Sequence, residues 1–332
     1  MLRIGVIGYG YWGPNIVRNL YALDDVRFVS ICDQDPIALK RAMRLYSNAW
    51  TTLNSDDILR SPDIDAIAVT TPTWTHFDLA RVALENGKHV FIEKPMTLYS
   101  YEAEKLIELA QKKNLKIMID HTFLFTEAVK MIHQLIYQGV LGDVYYYDSM
   151  RVNLGIFRND TDVIYDLASH DLSIMDYIIN KKPQGIIATG KAHFNKHIDM
   201  AFITVYFGKN TIAHINVNWL SPVKVRTTLI GGSRKMIMWN DLDADEKVKV
   251  YDKGVQLADT QNIHEALASY RSGDIWIPKL SQEEALKVEL AYFLKCIETN
   301  ETPINDGVSG LRIVKLLEAA EESIRMGREI IL

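Results

Sequence analysis

The sequence predicts an α/β protein of two domains. An N-terminal doubly wound parallel sheet spans residues 1–121, and an α+β domain with a large, mostly antiparallel open sheet spans 122–332. Three observations predict this. The first third of the chain alternates short apolar runs with helical periods, the pattern of parallel strands joined by right-handed helical crossovers. A glycine triplet follows the first apolar run. From about residue 184 to 251, runs rich in Ile, Val, Tyr and Thr succeed one another across short spacers, which predicts antiparallel strands. A chain of 332 residues is comfortable for two such domains.

The elements follow in order. "RIGVIGYGYWGPNIVRNL" reads as a buried strand, a glycine turn and a helix, with Gly8, Gly10 and Gly13 forming G-x-G-x-x-G. Such a triplet supplies a tight turn, close backbone approach to a pyrophosphate and close helix packing. The helix start then offers free N–H groups to the phosphate, those of Tyr11 and Trp12 included. Glycine triplets also occur in ordinary turns, so context carries the reading of a dinucleotide-binding Rossmann layout. The second strand, "VRFVSICD", ends in Asp33, twenty-five residues after Gly8. A carboxylate there takes both hydroxyls of an adenosine ribose and repels a 2′-phosphate, which predicts NAD rather than NADP.

"DAIAVTT" and "KHVFIEKP" are further strands, the helical "WTHFDLARVALENG" and "SYEAEKLIELAQKKN" follow them, and "LKIMID" closes the sheet. In such sheets ligands bind beyond the carboxyl ends of the strands. Thr70, Thr71, Pro72 and His76 at one strand end, and Glu93, Lys94 and Pro95 at the next, therefore face the cofactor crevice. After residue 121 the texture changes. "TEAVKMIHQLIYQGVLG" has a helical period and a glycine stop, "DVYYYDSMRVNLG" is strand-like, and two helices, "SQEEALKVELAYFLKCIETN" and "GVSGLRIVKLLEAAEESIRMG", close the chain. The aromatic run at 145–147 reads as strand packing rather than a base-stacking platform.

Composition narrows the function. A net charge of −5 argues against nucleic acid as a partner, since phosphate binding needs a basic face. Cys32 and Cys296 lie far apart and read as buried thiols in a reducing compartment. No run approaches the roughly 20 apolar residues of a membrane span, and the apolar N-terminus is broken by Gly8 and Gly10, unlike a signal peptide. The expectation is a soluble cytoplasmic protein.

Together, GYGYWG at 8–13, Asp33, TPTWTH at 71–76, EKP at 93–95 and D-x-x-x-H at 166–170 resemble the glucose–fructose oxidoreductase/inositol dehydrogenase family over the whole chain. Within it, "HTFLF" and "RVNLGIFRNDTDVIYDLASHDLSIMDYI" look closest to sugar-nucleotide 3-dehydrogenases, which oxidise the 3-hydroxyl of a UDP-N-acetylhexosamine or its uronic acid to a ketone that an aminotransferase then uses. The resemblance implies that the three glycines and Asp33 bind NAD, and that Pro72 and His76 form the cofactor-side loop. It places Lys94 near the reacting carbon and Asp166 and His170 on the substrate face, and it implies a homodimer or homotetramer through the second sheet. Asp120 departs from it, standing where relatives more often have glycine, and so bears on how the crevice is shaped beside His121.

"YDLASHDL" leaves three readings of Asp166 and His170, four residues apart and so on one face of a helix. A metal half-site needs further ligands, and the other histidines form no HxH or HExxH group. A capping aspartate with a core histidine is the bland reading. The third is acid–base chemistry: histidine accepts the hydroxyl proton as hydride leaves the same carbon, Asp166 orients the ring, and Lys94 stabilises the developing alkoxide. Whether His170 or Lys94 takes the proton stays open, with His170 favoured. Arg151, Asn153 and Arg158 just ahead are candidates for the sugar nucleotide, because arginine forks suit diphosphate or carboxylate groups; at least one of the two arginines is expected to be structural. His121 joins the substrate candidates. Two alternatives stand: a dehydrogenase or ketoreductase of a free sugar, inositol or dTDP-deoxysugar, and a non-catalytic NAD-binding sensor.

Overall fold

The computed structural model describes residues 1–155, 161–208, 210–257 and 268–332. The chain divides into two units, Met1–Phe125 with Glu283–Glu318, and Thr126–Gln282 with Ala319–Leu332. In the first unit, β1 (Leu2–Ile7), α1 (Gly13–Tyr21), β2 (Val26–Cys32), α2 (Pro36–Leu45), β3 (Trp50–Thr52), α3 (Asp56–Leu59), β4 (Ala66–Val69), α4 (His76–Glu85), β5 (His89–Glu93), α5 (Ser100–Lys113) and β6 (Ile117–Asp120) alternate. The six strands are all parallel, in the order β3-β2-β1-β4-β5-β6. β4 and β6 are buried throughout and β5 at its centre, as in strands covered on both faces. The order reverses between β1 and β4, the switch point where such sheets bind ligands. β3 and the short α3 escaped the sequence reading because three or four residues show no period.

The second unit carries α6 (Glu127–Tyr137), β7 (Val144–Leu154), a π turn over Ile164–Ala168 that runs into α7 (Ser169–Ile178), and the strands β8 (Gly185–Lys191), β9 (Met200–Phe207), β10 (Thr211–Asn218), β11 (Leu220–Gly232), β12 (Met236–Asn240), β13 (Val248–Leu257) and β14 (Ala268–Trp276). Beyond these come α8 (Ala285–Thr299), α9 (Gly307–Met326) and β15 (Ile330–Ile331). The nine-stranded sheet has the order β14-β13-β12-β11-β7-β10-β9-β8-β15. It is antiparallel except where β10 runs parallel to β7. Alternation is clear in β9, where Ala201, Ile203, Val205 and Phe207 are buried and Phe202 is exposed, so the sheet has one core face.

Two sequence expectations need correction. Residues 122–332 are not one unit, because 283–318 belong with the parallel sheet. Phe293 on α8 meets Phe91 of β5 with ring centroids 5.6 Å apart, and Val314 of α9 enters the core that holds Leu106 and Ile119. The Asn305 carbonyl accepts from the Ile119 N–H at 2.9 Å, and the Asn305 amide donates to the Ile119 carbonyl at 2.6 Å. This returning segment thereby covers β6, an edge strand that would otherwise expose pairing groups. Helical periodicity shows which face is apolar, not which sheet it covers. Also, α8 begins at Ala285 rather than Ser281, with Glu284 extended at its N-cap.

Candidate active site

The glycine turn is shaped by what surrounds it. Gly8 has φ +103°, and a Cβ there would strike the Thr70 carbonyl oxygen; a Cβ on Gly13 would strike the Gly8 carbonyl oxygen. Gly10 faces open space, which leaves its backbone approachable. The Thr70 hydroxyl donates to the Gly8 carbonyl at 2.7 Å and ties the turn to the end of β4. A cleft of about 440 Å³ opens here, lined by Gly8, Gly10, Asp33, Thr70, Thr71 and Pro72. The Asp33 carboxylate is held at its rim by the N–H groups of Tyr9 at 2.5 Å and Asp35 at 2.8 Å. Approachable backbone, a helix start and a fixed carboxylate fit a dinucleotide. Ser55, Trp74 and Asp78 also line the cleft and were missed; the tryptophan inside TPTWTH was the available signal. Tyr11 is exposed and Trp12 is the N-cap of α1. Cys32, also in the lining, is an inert thiol, its pKa pushed up to about 12 by burial.

His76 needs correction as a cofactor contact. It is buried, with Nε2 2.8 Å from the Thr71 carbonyl and Nδ1 3.0 Å from the Pro95 carbonyl. The ring clasps the two strand-end loops together and turns inward. Burial pushes its pKa down, against the carbonyl hydrogen bonds, which favour the charged form.

Glu93 of β5 stands opposite Asp120 of β6 in register, so Lys94 and His121 emerge one residue past adjacent strand ends. Lys94 is half-buried, and the Lys94–Pro95 bond is cis. His121 is buried, and neither ring nitrogen has a hydrogen-bond partner among the described residues. Burial, with the Lys94 charge, pushes its pKa down to about 3. It is therefore a neutral imidazole aimed at no described group.

In the second unit, Asp166 lies in the π turn and His170 in the first turn of α7; both are half-buried. Asp162 accepts from the N–H groups of Ile164 and Tyr165 at 2.9 and 3.0 Å, so the capping aspartate is Asp162, not Asp166. π turns recur at functional sites. Asn153 is half-buried near the end of β7, and Arg158 lies outside the described residues. Arg151 is buried and bonds Asp171 through Nε at 2.7 Å, and Asp171 also accepts from the Ser149 hydroxyl at 2.7 Å. The Arg151 guanidinium is thus held in a buried ion pair with Asp171. Among the described residues no three His, Cys, Asp or Glu side chains are grouped to hold a metal ion, and no helix is long and apolar enough to cross a membrane.

Family models match both parts of the chain. Residues 2–121 match the profile described as the oxidoreductase family, NAD-binding Rossmann fold, and residues 129–238 match the GFO/IDH/MocA C-terminal domain. The chain is 28% identical to the UDP-N-acetylglucosamine 3-dehydrogenase of Acidithiobacillus ferrooxidans, over 100% of this chain and 98% of that protein. It is 24% identical to the scyllo-inositol 2-dehydrogenase (NAD(+)) of Bacillus subtilis, over 99% and 96%. Among solved structures, the Acidithiobacillus enzyme superposes with a TM-score of 0.83 at 24% identity, covering 98% of each chain. An aldose-aldose oxidoreductase from Caulobacter crescentus does so at 0.84 and 19%, covering 100% of this chain and 99% of that one.

Proposed function

Because the chain belongs to the GFO/IDH/MocA family and is an NAD-binding oxidoreductase acting on CH–OH groups, we propose that it oxidises the 3-hydroxyl of a UDP-linked N-acetylhexosamine or its uronic acid to a ketone. The observation that carries this is full-length similarity to an enzyme named for that reaction. Bound NAD supplies the hydride acceptor. Lys94 stabilises the alkoxide that develops as the hydroxyl ionises, His170 accepts the proton, and Asp166 orients the imidazole. Asp33 selects the unphosphorylated ribose. Asn153 and Arg158 meet the sugar nucleotide, the guanidinium on a diphosphate or carboxylate, and neutral His121 offers the sugar a hydrogen bond.

The second reading, a dehydrogenase of inositol or a free sugar, is favoured by similarity to the inositol enzyme. NADH formation by the purified protein over UDP-GlcNAc, UDP-GalNAc, their uronic acids, dTDP-sugars, glucose and inositol separates the two, with a carbonyl trap to draw off ketone. A 3-keto product by mass from one UDP-hexosamine is expected; turnover of free sugars or inositol alone replaces the first reading with the second. Within either, His170→Asn and Lys94→Met should lower kcat about 10²–10⁴-fold while NAD affinity holds. Unchanged kcat would return both residues to structural roles.

We also propose that the protein is a homo-oligomer through the second sheet. Met150, Phe202, Ile212 and Leu229, on adjacent strands, are all exposed, and exposed apolar residues gathered on one face mark interaction surfaces. Light scattering should give a dimer or tetramer that Phe202→Asp dissociates; a wild-type monomer rejects the surface.

A further inference from the structure

Asp120, where the chain departs from the family resemblance, is 2% exposed at the end of β6, and its carboxyl is held at both oxygens. The Trp12 indole N–H donates to Oδ2 at 2.6 Å, and the Thr122 hydroxyl donates to Oδ1 at 2.5 Å. An indole N–H only donates, so Oδ2 accepts whether or not the carboxyl is ionised. Trp12 is fixed at its other end as well, because its carbonyl accepts from the Asn15 N–H at 2.9 Å where α1 begins. The half-buried ring is thus pinned at both backbone and indole. The proposed reaction gives this bond no role.

The bond crosses the half of the parallel sheet that lies away from Asp33. β1 and β6 are separated by β4 and β5, and at about 4.8 Å per strand their ends stand roughly 14 Å apart. Trp12 follows the carboxyl end of β1 and Asp120 closes β6, so the indole reaches along the carboxyl ends of β4 and β5. Asp33 lies on the other side of the glycine turn, directly after β2. A dinucleotide lies across the switch point with one nucleotide half on each side. With the adenosine ribose on Asp33, the nicotinamide half runs to the side that the indole crosses. The cleft around Asp33 is lined by Gly8 and Gly10 but, among the described residues, not by Trp12, which agrees with that division.

We propose that Asp120 is a positioning residue for the nicotinamide half of NAD: it holds the Trp12 indole in place as a wall of that half-site. An indole face gives an aromatic ring a flat apolar surface, and a side chain already held incurs little ordering cost when the ligand arrives. A glycine at 120 could accept from neither the indole nor Thr122, and the ring would lose its anchor. The inference rests on NAD binding and not on the identity of the sugar.

The test separates the two halves of the cofactor. NAD and ADP-ribose, which lacks the nicotinamide, are titrated calorimetrically into the full-length protein without any sugar. Asp120→Leu should weaken NAD about tenfold, the scale of one buried hydrogen bond lost, and ADP-ribose less than about twofold. Asp120→Asn keeps an oxygen for the indole and can turn its amide to the Thr122 hydroxyl, so NAD affinity should stay within about threefold of wild type. Trp12→Phe should match Asp120→Leu, and the double variant should fall no further, because both act through one bond. Equal weakening of NAD and ADP-ribose overturns the proposal by placing the effect of the bond in the glycine turn. Unchanged NAD affinity in Asp120→Leu and Trp12→Phe overturns it too. So does a loss in Asp120→Asn as large as that in Asp120→Leu, which would make the charge the cause rather than the bond. Should Asp120→Leu fail to melt cooperatively, Trp12→Phe carries the same comparison. Selective loss of NAD affinity in a protein that turns over none of the sugars would sustain this inference while removing the proposed function.

Discussion

At the scale of single residues, side-chain chemistry was legible where it follows from position along a strand, and hidden where it depends on a distant partner. Asp33 directly follows β2, and its spacing from the glycine turn predicts a ribose contact. Asp33→Ser should raise the NADP-to-NAD ratio of kcat/KM at least about tenfold by removing the repulsion of a 2′-phosphate; initial rates with the two cofactors measure it, and an unchanged ratio would move selectivity elsewhere in the cleft. Arg151 is the opposite case. Its partner Asp171 sits twenty residues on, and nothing in the spacing says that β7 and α7 bring them together. Removing one member of a buried ion pair costs about 3–5 kcal/mol. Arg151→Met should therefore lower the urea midpoint strongly, whereas loss of substrate affinity at full stability would restore the ligand role. His76 was hidden in the same way, since its two carbonyl partners come from different loops.

Among elements, the long periodic ones were read well and the short or returning ones were not. The π turn is a case in point: D-x-x-x-H reads as one helical face, but the widened turn places only His170 in α7 proper. The attachment of α8 was equally invisible, because Arg18 of α1 and Glu284 are far apart in sequence yet bonded at 2.6 and 2.9 Å. Arg18 first, then Asn19, hold the Glu284 carboxyl down to about 2, against an ordinary 4.5. A depressed carboxyl stabilises the fold above its unfolded value, and that contribution fades as pH falls from about 4.5 to about 2. Both side chains are substantially exposed, so the effect is small. Glu284→Gln should melt one or two degrees below wild type at pH 7 (about the size expected for a screened pair), and the gap should narrow as pH falls below about 4.5 and close near pH 2. A constant gap across that range would assign the loss to packing.

On the scale of the whole molecule, the sequence showed the two kinds of sheet and their order along the chain, since strand–helix alternation and hairpin spacing are local properties. It did not show that the parallel-sheet unit is discontinuous, which is set by contacts such as Phe91 with Phe293 and Ile119 with Asn305. That discontinuity has a consequence for the living chain. During synthesis the ribosome releases Met1–Phe125 first, but the residues that cover β6 and supply Phe293 follow only after Thr126–Gln282 has been made. At about 5–20 residues per second, the parallel sheet waits roughly ten to thirty seconds with one edge bare and part of its core unfilled. Nascent chains stalled before residue 283 should accordingly be protease-sensitive in their N-terminal third and become resistant once residue 318 has emerged, and in that interval the newborn protein offers chaperones an open strand edge.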